Sequence, residues 1–155
     1  MHVGRQPAQH SELPGAAFDL VFSSLTFHYL ADLRRLFAQI YRALGAGGSL
    51  VFSAEHPIYT APSEGKWSIA EDGRKTWPID RYLVEGPRSR DWLTKGVVKH
   101  HRTIGTYLNT LIALGFEISH LDEWGPSDAQ LLAQPSLAEE RERPTFMLIA
   151  AARRG

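Results

Sequence analysis

The chain has 155 residues, 43% of them hydrophobic and 22% charged, which suits one soluble domain with a real core. Seventeen basic residues balance seventeen acidic ones, so no net field draws in nucleic acid or anionic lipid. Cysteine is absent, which excludes disulfides and thiolate metal sites, and no apolar run nears the roughly 18–20 residues that span a bilayer. The opening "MHVGRQPAQHSELPG" has no signal-peptide core, so the expected location is the cytoplasm, with no membrane and no nucleic acid as partners.

Residues 1–17, with Pro7, Pro14 and Gly15, read as a loose N-terminal arm preceding a domain over 18–155. Phe18–Phe22 predicts a short strand too apolar to have one wet face, as inside a parallel sheet. Asp32 can cap a helix whose Leu33, Leu36, Phe37, Ile40, Tyr41 and Leu44 fall at i, i+3, i+4, i+7 spacing. "GAGG", Gly45–Gly48, ends that helix, and Leu50–Ser53 forms a second buried strand. The result is a βαβ unit, expected to cross over right-handed.

Between about residues 55 and 102 the periodicity fades. Four prolines (57, 62, 78 and 87) and the aromatics Trp67, Trp77, Tyr82 and Trp92 predict a lid or binding insertion. Thr103 then caps a helix with Ile104, Leu108, Leu111 and Ile112 on one face, closed by Gly115. Phe116–Leu121 makes a strand and Thr145–Ala152 a last apolar one. "GPSDAQLLAQPSLAEERERP" between them reads as loop with a short helix.

The order strand, "SSLTFHYL", helix, "RALGAGGSLVFS" resembles the second half of a class I S-adenosylmethionine-dependent methyltransferase. "HHRTIGTYLNTLIALGFEISHLDEW" looks like that family's later helix and strand. "RPTFMLIAAARR" looks like its terminal strand, and "SELP" like the lead into its fourth. The resemblance implies an α/β fold. It would be a partial Rossmann-like sheet of the last four strands, the final one antiparallel between the two before it, with helices and an aromatic-rich lid insertion. The family's Gly-rich cofactor turn is not found: no GxGxG precedes Phe18, and "GAGG" runs from helix to strand, the reverse of the order a cofactor loop needs.

Ligands of open α/β sheets sit beyond the carboxyl ends of the strands. By resemblance, Ser23, Ser24, Leu25, His28 and Tyr29 would meet the methionine part of S-adenosylmethionine, although Ser23 and Ser24 could equally satisfy turn backbone. Glu55 and His56 follow the second strand end. An adjacent carboxylate and imidazole can orient a substrate or move a proton, while Glu55 could instead cap the turn before Pro57. His28 and His56 are therefore the catalytic candidates. Glu55, Tyr59, Tyr82, His101 and Arg102 are the substrate-binding ones, with His101 and Arg102 standing at the family's "HR". Adjacent His100 and His101 point apart on helix or strand, so "KHHR" predicts no metal. Trp67, Trp77, Tyr82, Trp92 and Tyr107 could line an acceptor pocket or hold the lid down.

Two functions remain open at this level. One is methyl transfer from S-adenosylmethionine to a small-molecule acceptor, this chain supplying the acceptor side and part of the cofactor rim. The other is a non-catalytic module acting by self-association or through a partner chain. In either case a strand at 18–22 lacking its family neighbour offers an apolar edge, predicting a homo-oligomer through that strand or its coverage by residues 1–17.

Overall fold

The computed structural model describes residues 13–92 and 94–155. Four strands form its main sheet: β1 (Phe18–Ser24), β2 (Leu44–Glu55), β7 (Phe116–Glu123) and β8 (Phe146–Arg153), in the order β1-β2-β8-β7. β1 and β2 are parallel, with Val21 opposite Leu50 and Ser23 opposite Phe52. β8 is antiparallel to both neighbours, pairing Phe52 with Ile149 and Leu121 with Ile149 across its two edges. The mixed α/β sheet with an antiparallel last strand in an interior position is the arrangement the sequence predicts.

Helix α1 (Leu33–Ala43) starts where Asp32 accepts from the Arg35 N–H at 3.0 Å. Its Leu33, Phe37 and Ile40 are buried. Helix α3 (Ile104–Ala113) starts on Thr103, whose hydroxyl oxygen accepts from the Thr106 N–H. Both helices cover one face of the sheet, where Phe37, Tyr107 and Leu111 meet Leu50, Phe52, Ala54, Met147, Ile149 and Ala151. Phe27, Phe37 and Phe52 lie within 4.9–5.5 Å of one another, ring centroid to centroid. Such contacts add to the burial that dominates folding.

Several expectations are corrected. β1 is not doubly covered: Leu20 and Phe22 are 56% and 66% exposed, because the register puts Val21 and Ser23 on the helix-covered face and Leu20 and Phe22 on the other. β2 begins at Leu44 rather than Leu50. "GAGG" belongs to the strand, which Gly47 accommodates with φ +75°. Ile112 is 56% exposed, and Tyr107 takes the core position on α3 instead. Gly115 closes α3 with φ +97°, as its position predicts.

The 55–102 stretch is richer in elements than its periodicity suggests. It contains a one-turn helix α2 (Pro57–Thr60), a small hairpin of β3 (Ser68–Ile69) and β4 (Lys75–Thr76), and a longer one of β5 (Gly86–Trp92) and β6 (Thr94–His101). The connection before β8 carries two short helices, α4 (Asp128–Ala133) and α5 (Glu139–Glu142), separated by a 3-10 turn. No helix among the described residues is long and apolar enough to cross a membrane.

Candidate functional site

Because β1 and β2 run parallel, their carboxyl ends deliver Ser24–Tyr29 and Glu55–His56 to the same rim. The turn after β1 is tight. Leu25 adopts φ +50°, a conformation costly for a branched side chain, and its N–H donates to the Ser53 carbonyl at 3.0 Å. The Ser53 hydroxyl stands 3.4 Å from that of Ser24, while Thr26 donates to the Ser24 carbonyl at 2.9 Å. Thus the Ser53 hydroxyl serves the turn backbone through the Leu25 N–H and meets the Ser24 hydroxyl, and Ser24 and Leu25 remain open to solvent.

His28 lies inside this rim, 1% exposed, and its Nδ1 accepts from the Glu55 N–H at 3.2 Å. That bond assigns the ring proton to Nε2, 4.0 Å from Glu55 Oε1. Burial, and next the charge of Lys99, lowers the His28 pKa to about 4, so the ring is neutral near pH 7. Neutral His28 therefore presents a donor, not a free base, toward the carboxylate. Tyr29 packs on it with ring centres 4.3 Å apart and is 38% exposed.

Glu55 is the centre of the arrangement. It is 7% exposed, and Lys99, 3% exposed on β6, donates to its Oε1. Burial raises the Glu55 carboxyl pKa, opposed by the Lys99 ammonium beside it. Glu55 and Lys99 line a cavity of about 70 Å³ together with Tyr59, Arg88, Arg90 and Asp91. Lys99 Nζ lies 5.8 Å from the centre of the Tyr59 ring and 6.0 Å from that of Tyr29.

The remaining candidates lie close by, with their polar atoms engaged. His56 caps α2 through Nδ1, which accepts from the Ile58 N–H at 3.0 Å, and its Nε2–H donates to Glu123 at 2.8 Å. The cap before Pro57 is His56, not Glu55, and both ring nitrogens are committed. His101 is likewise held between the Thr60 hydroxyl and the Tyr82 carbonyl, 2.8 Å each, with the Tyr82 ring edge-on to it. Arg102 donates to the carbonyls of Leu30, Ala31 and His100, tying the insertion to the loop before α1. Tyr107 belongs to the core. Of the candidates, the structure places Glu55 and Tyr59 on the wall of one cavity, with His28 against Glu55 and Tyr29 against His28, while His56, Tyr82, His101 and Arg102 do not line it.

Two features escape sequence reading. Lys99 sits in "KHHR", where only His101 and Arg102 stand out as candidates; the alternation of β6, burying Lys99 and His101 while turning His100 outward, is the only available signal. Arg143 inserts among Tyr59, Trp67 and Trp77, its guanidinium 4.5–5.4 Å from the three ring centres, and pairs with Glu140 at 3.0 Å. This contact fastens the segment before β8 onto the insertion. Among the described residues no cluster of His, Asp and Glu could hold a metal ion.

The comparisons with known proteins agree with this architecture. The model of a methyltransferase domain family matches residues 2–52. The crystal structure of an S-adenosylmethionine-dependent methyltransferase from Mesorhizobium loti is 58% identical, with a TM-score of 0.88 over 93% of this chain and 66% of that one. A structure of a putative S-adenosylmethionine-dependent methyltransferase from Listeria monocytogenes is 36% identical, with a TM-score of 0.81 over 92% of this chain and 64% of that one. An uncharacterized protein of Haemophilus influenzae is 33% identical over 147 residues, which are 91% of this chain and 56% of that protein. The chain belongs to the class I S-adenosylmethionine-dependent methyltransferase family. It spans between about half and two thirds of the length of these relatives.

Proposed function

We propose that this chain forms the acceptor side of a methyltransferase that uses S-adenosylmethionine on a small molecule. The observation that carries this reading is the Glu55–Lys99 pair lining a cavity at the carboxyl end of β2, with His28 from the parallel β1 end held against Glu55, where open α/β sheets bind ligands. S-adenosylmethionine, when bound, supplies an electrophilic methyl group. The residues fit it as a rim, since Ser24, Leu25 and Tyr29 are exposed after the carboxyl end of β1. A glycine-rich cradle is not part of the sequence.

The chain's own residues bind and orient. His28 fixes the Glu55 backbone, and Lys99 fixes its carboxylate. Tyr59 walls the cavity, and the 55–102 insertion acts as a lid excluding water from the acceptor. Such alignment is most of what methyl transfer asks of a protein. In this reading His56 and His101 support the lid rather than exchange protons. Calorimetric titration with S-adenosylhomocysteine is the test. Micromolar binding by this chain is the expected result, whereas silence at millimolar ligand would favour a non-catalytic module.

The same proposal includes association through β1. Among the described residues β1 pairs only with β2, and the exposed Leu20 and Phe22 make its uncovered face apolar beside the free edge. An open apolar strand edge is a template for a further strand, and a second copy of the chain satisfies it. Of residues 1–17, the other expected cover for this edge, 1–12 lie outside the described residues, and Ala16 and Ala17 donate to the carbonyls of Arg42 and Ala43. Sedimentation giving a monomer at all concentrations would remove this part.

A further inference from the structure

The walls of the cavity differ in what they still have to offer a ligand. Arg88 directs its three guanidinium nitrogens at the carbonyls of Ala61, Pro87 and Val84. Both Nη atoms of Arg90 bond carbonyls, those of Ser63, Ser89 and Pro62. Asp91 Oδ1 accepts from the Gly96 N–H at 3.0 Å. Glu55 differs: Oε1 accepts from Lys99, but Oε2 is buried with no hydrogen-bond partner among the described residues. A buried carboxylate oxygen left unmatched is costly, so a ligand that supplies a donor there is strongly favoured.

Charge narrows the choice. Arg88, Arg90 and Lys99 against Glu55 and Asp91 leave the lining one positive charge in excess. An ammonium would find the Glu55 oxygen but enter a net positive wall. A carboxylate would be drawn by the charge, yet it brings no donor for Oε2 and sets a second anion against Glu55. A neutral hydroxyl or N–H meets neither objection. The room of about 70 Å³ suits such a head group, with the rest of the molecule outside, against Tyr59.

We infer that Glu55 Oε2 anchors a neutral O–H or N–H group of the ligand, with Lys99 as the positioning residue that fixes the carboxylate. The site thereby selects hydroxyl or neutral nitrogen compounds over carboxylates and over hydrocarbons of the same shape. This inference rests on the proposed acceptor site for the ligand's role as methyl acceptor, but the selectivity itself does not need the cofactor.

The test is a nuclear magnetic resonance titration of the chain with phenol, toluene and benzoate, following the Glu55 side-chain carboxyl carbon and the Tyr59 ring. Phenol should bind on the order of 10-fold or more tighter than either of the others, moving the Glu55 carboxyl signal. The double variant Glu55→Leu/Lys99→Met, which removes the pair without stranding a charge, should lose the preference for phenol over toluene. Glu55→Gln, close in volume, should weaken phenol several-fold, because a neutral amide is a poorer acceptor than a carboxylate. Benzoate binding as tightly as phenol, or a preference surviving in both variants, overturns the inference. Phenol selectivity without S-adenosylhomocysteine binding upholds it while defeating the transferase reading. S-adenosylhomocysteine binding without phenol selectivity does the reverse.

Discussion

Acid should destabilise this protein through His28, and the size of the effect follows from its surroundings. The ring is buried against Glu55 backbone and faces Lys99, and its pKa falls from 6.5 to about 4. The unfolded chain therefore takes up a proton near pH 6.5 that the folded chain refuses until about pH 4. Stability is complete above the unfolded value and is lost as pH falls through that window. A difference of about 2.5 units, at about 1.4 kcal/mol each, makes the total loss about 3–4 kcal/mol. His56 and His101, both lowered chiefly by burial, add in the same sense. Glu55, raised by burial, works the other way, since its protonation in acid relieves a folded-state cost. Urea unfolding at pH 7, 6, 5 and 4.5 on the wild type and His28→Gln isolates the His28 part: the wild type should lose up to about 3 kcal/mol more than the variant. A His28 ring signal that titrates near 6.5 in the folded protein, or parallel losses in both proteins, would refute the reasoning.

Other perturbations have defined outcomes. Lys99→Met leaves the Glu55 carboxylate buried without its ammonium partner and should cost about 3–5 kcal/mol by chemical denaturation at pH 7, whereas Glu55→Leu/Lys99→Met should fall much nearer the wild type. Phe52→Ala opens a hole between Phe27, Phe37 and Tyr107 and should cost about 3–5 kcal/mol in the same assay. Gly115→Ala forces a side chain into φ +97° and places its Cβ 2.9 Å from the Tyr41 hydroxyl, so a cost of about 1–3 kcal/mol is expected from thermal melts. Leu20→Lys with Phe22→Lys should abolish concentration-dependent association in sedimentation while leaving the far-ultraviolet spectrum unchanged, since both side chains are already exposed.

How far the sequence reaches depends on whether the relevant signal is local. Asp32, Thr103 and Gly115 mark helix ends correctly because a cap or a left-handed turn is decided by a few neighbouring residues. The α1 stripe is legible for the same reason: a helix that buries one face must repeat its apolar residues every 3.6 positions. The exposure of Leu20 and Phe22 is not legible from "FDLVF", because hydropathy cannot show how many faces are covered. The site divides along the same line. Residues at strand ends are found by counting outward from the strands, which yields His28 and Glu55. Their decisive partner, Lys99, comes from 44 residues further along the chain, and no local pattern announces the pairing. His56 and His101 show the converse. Their identity suggests chemistry, but their ring nitrogens are engaged by partners that include Glu123 and Thr60, each remote in the chain, which no local pattern announces.

The interior place of β8 bears on how the protein is made. Ser49 pairs with Ala152 and Glu117 with the same residue from the other side, so residues 146–153 bridge two strands that never touch each other. During synthesis β2 and β7 leave the ribosome first and must wait with open edges for the segment that joins them. Contacts between residues so distant along the chain form slowly. That interval is when a nascent copy is most exposed to mispairing or capture by a chaperone.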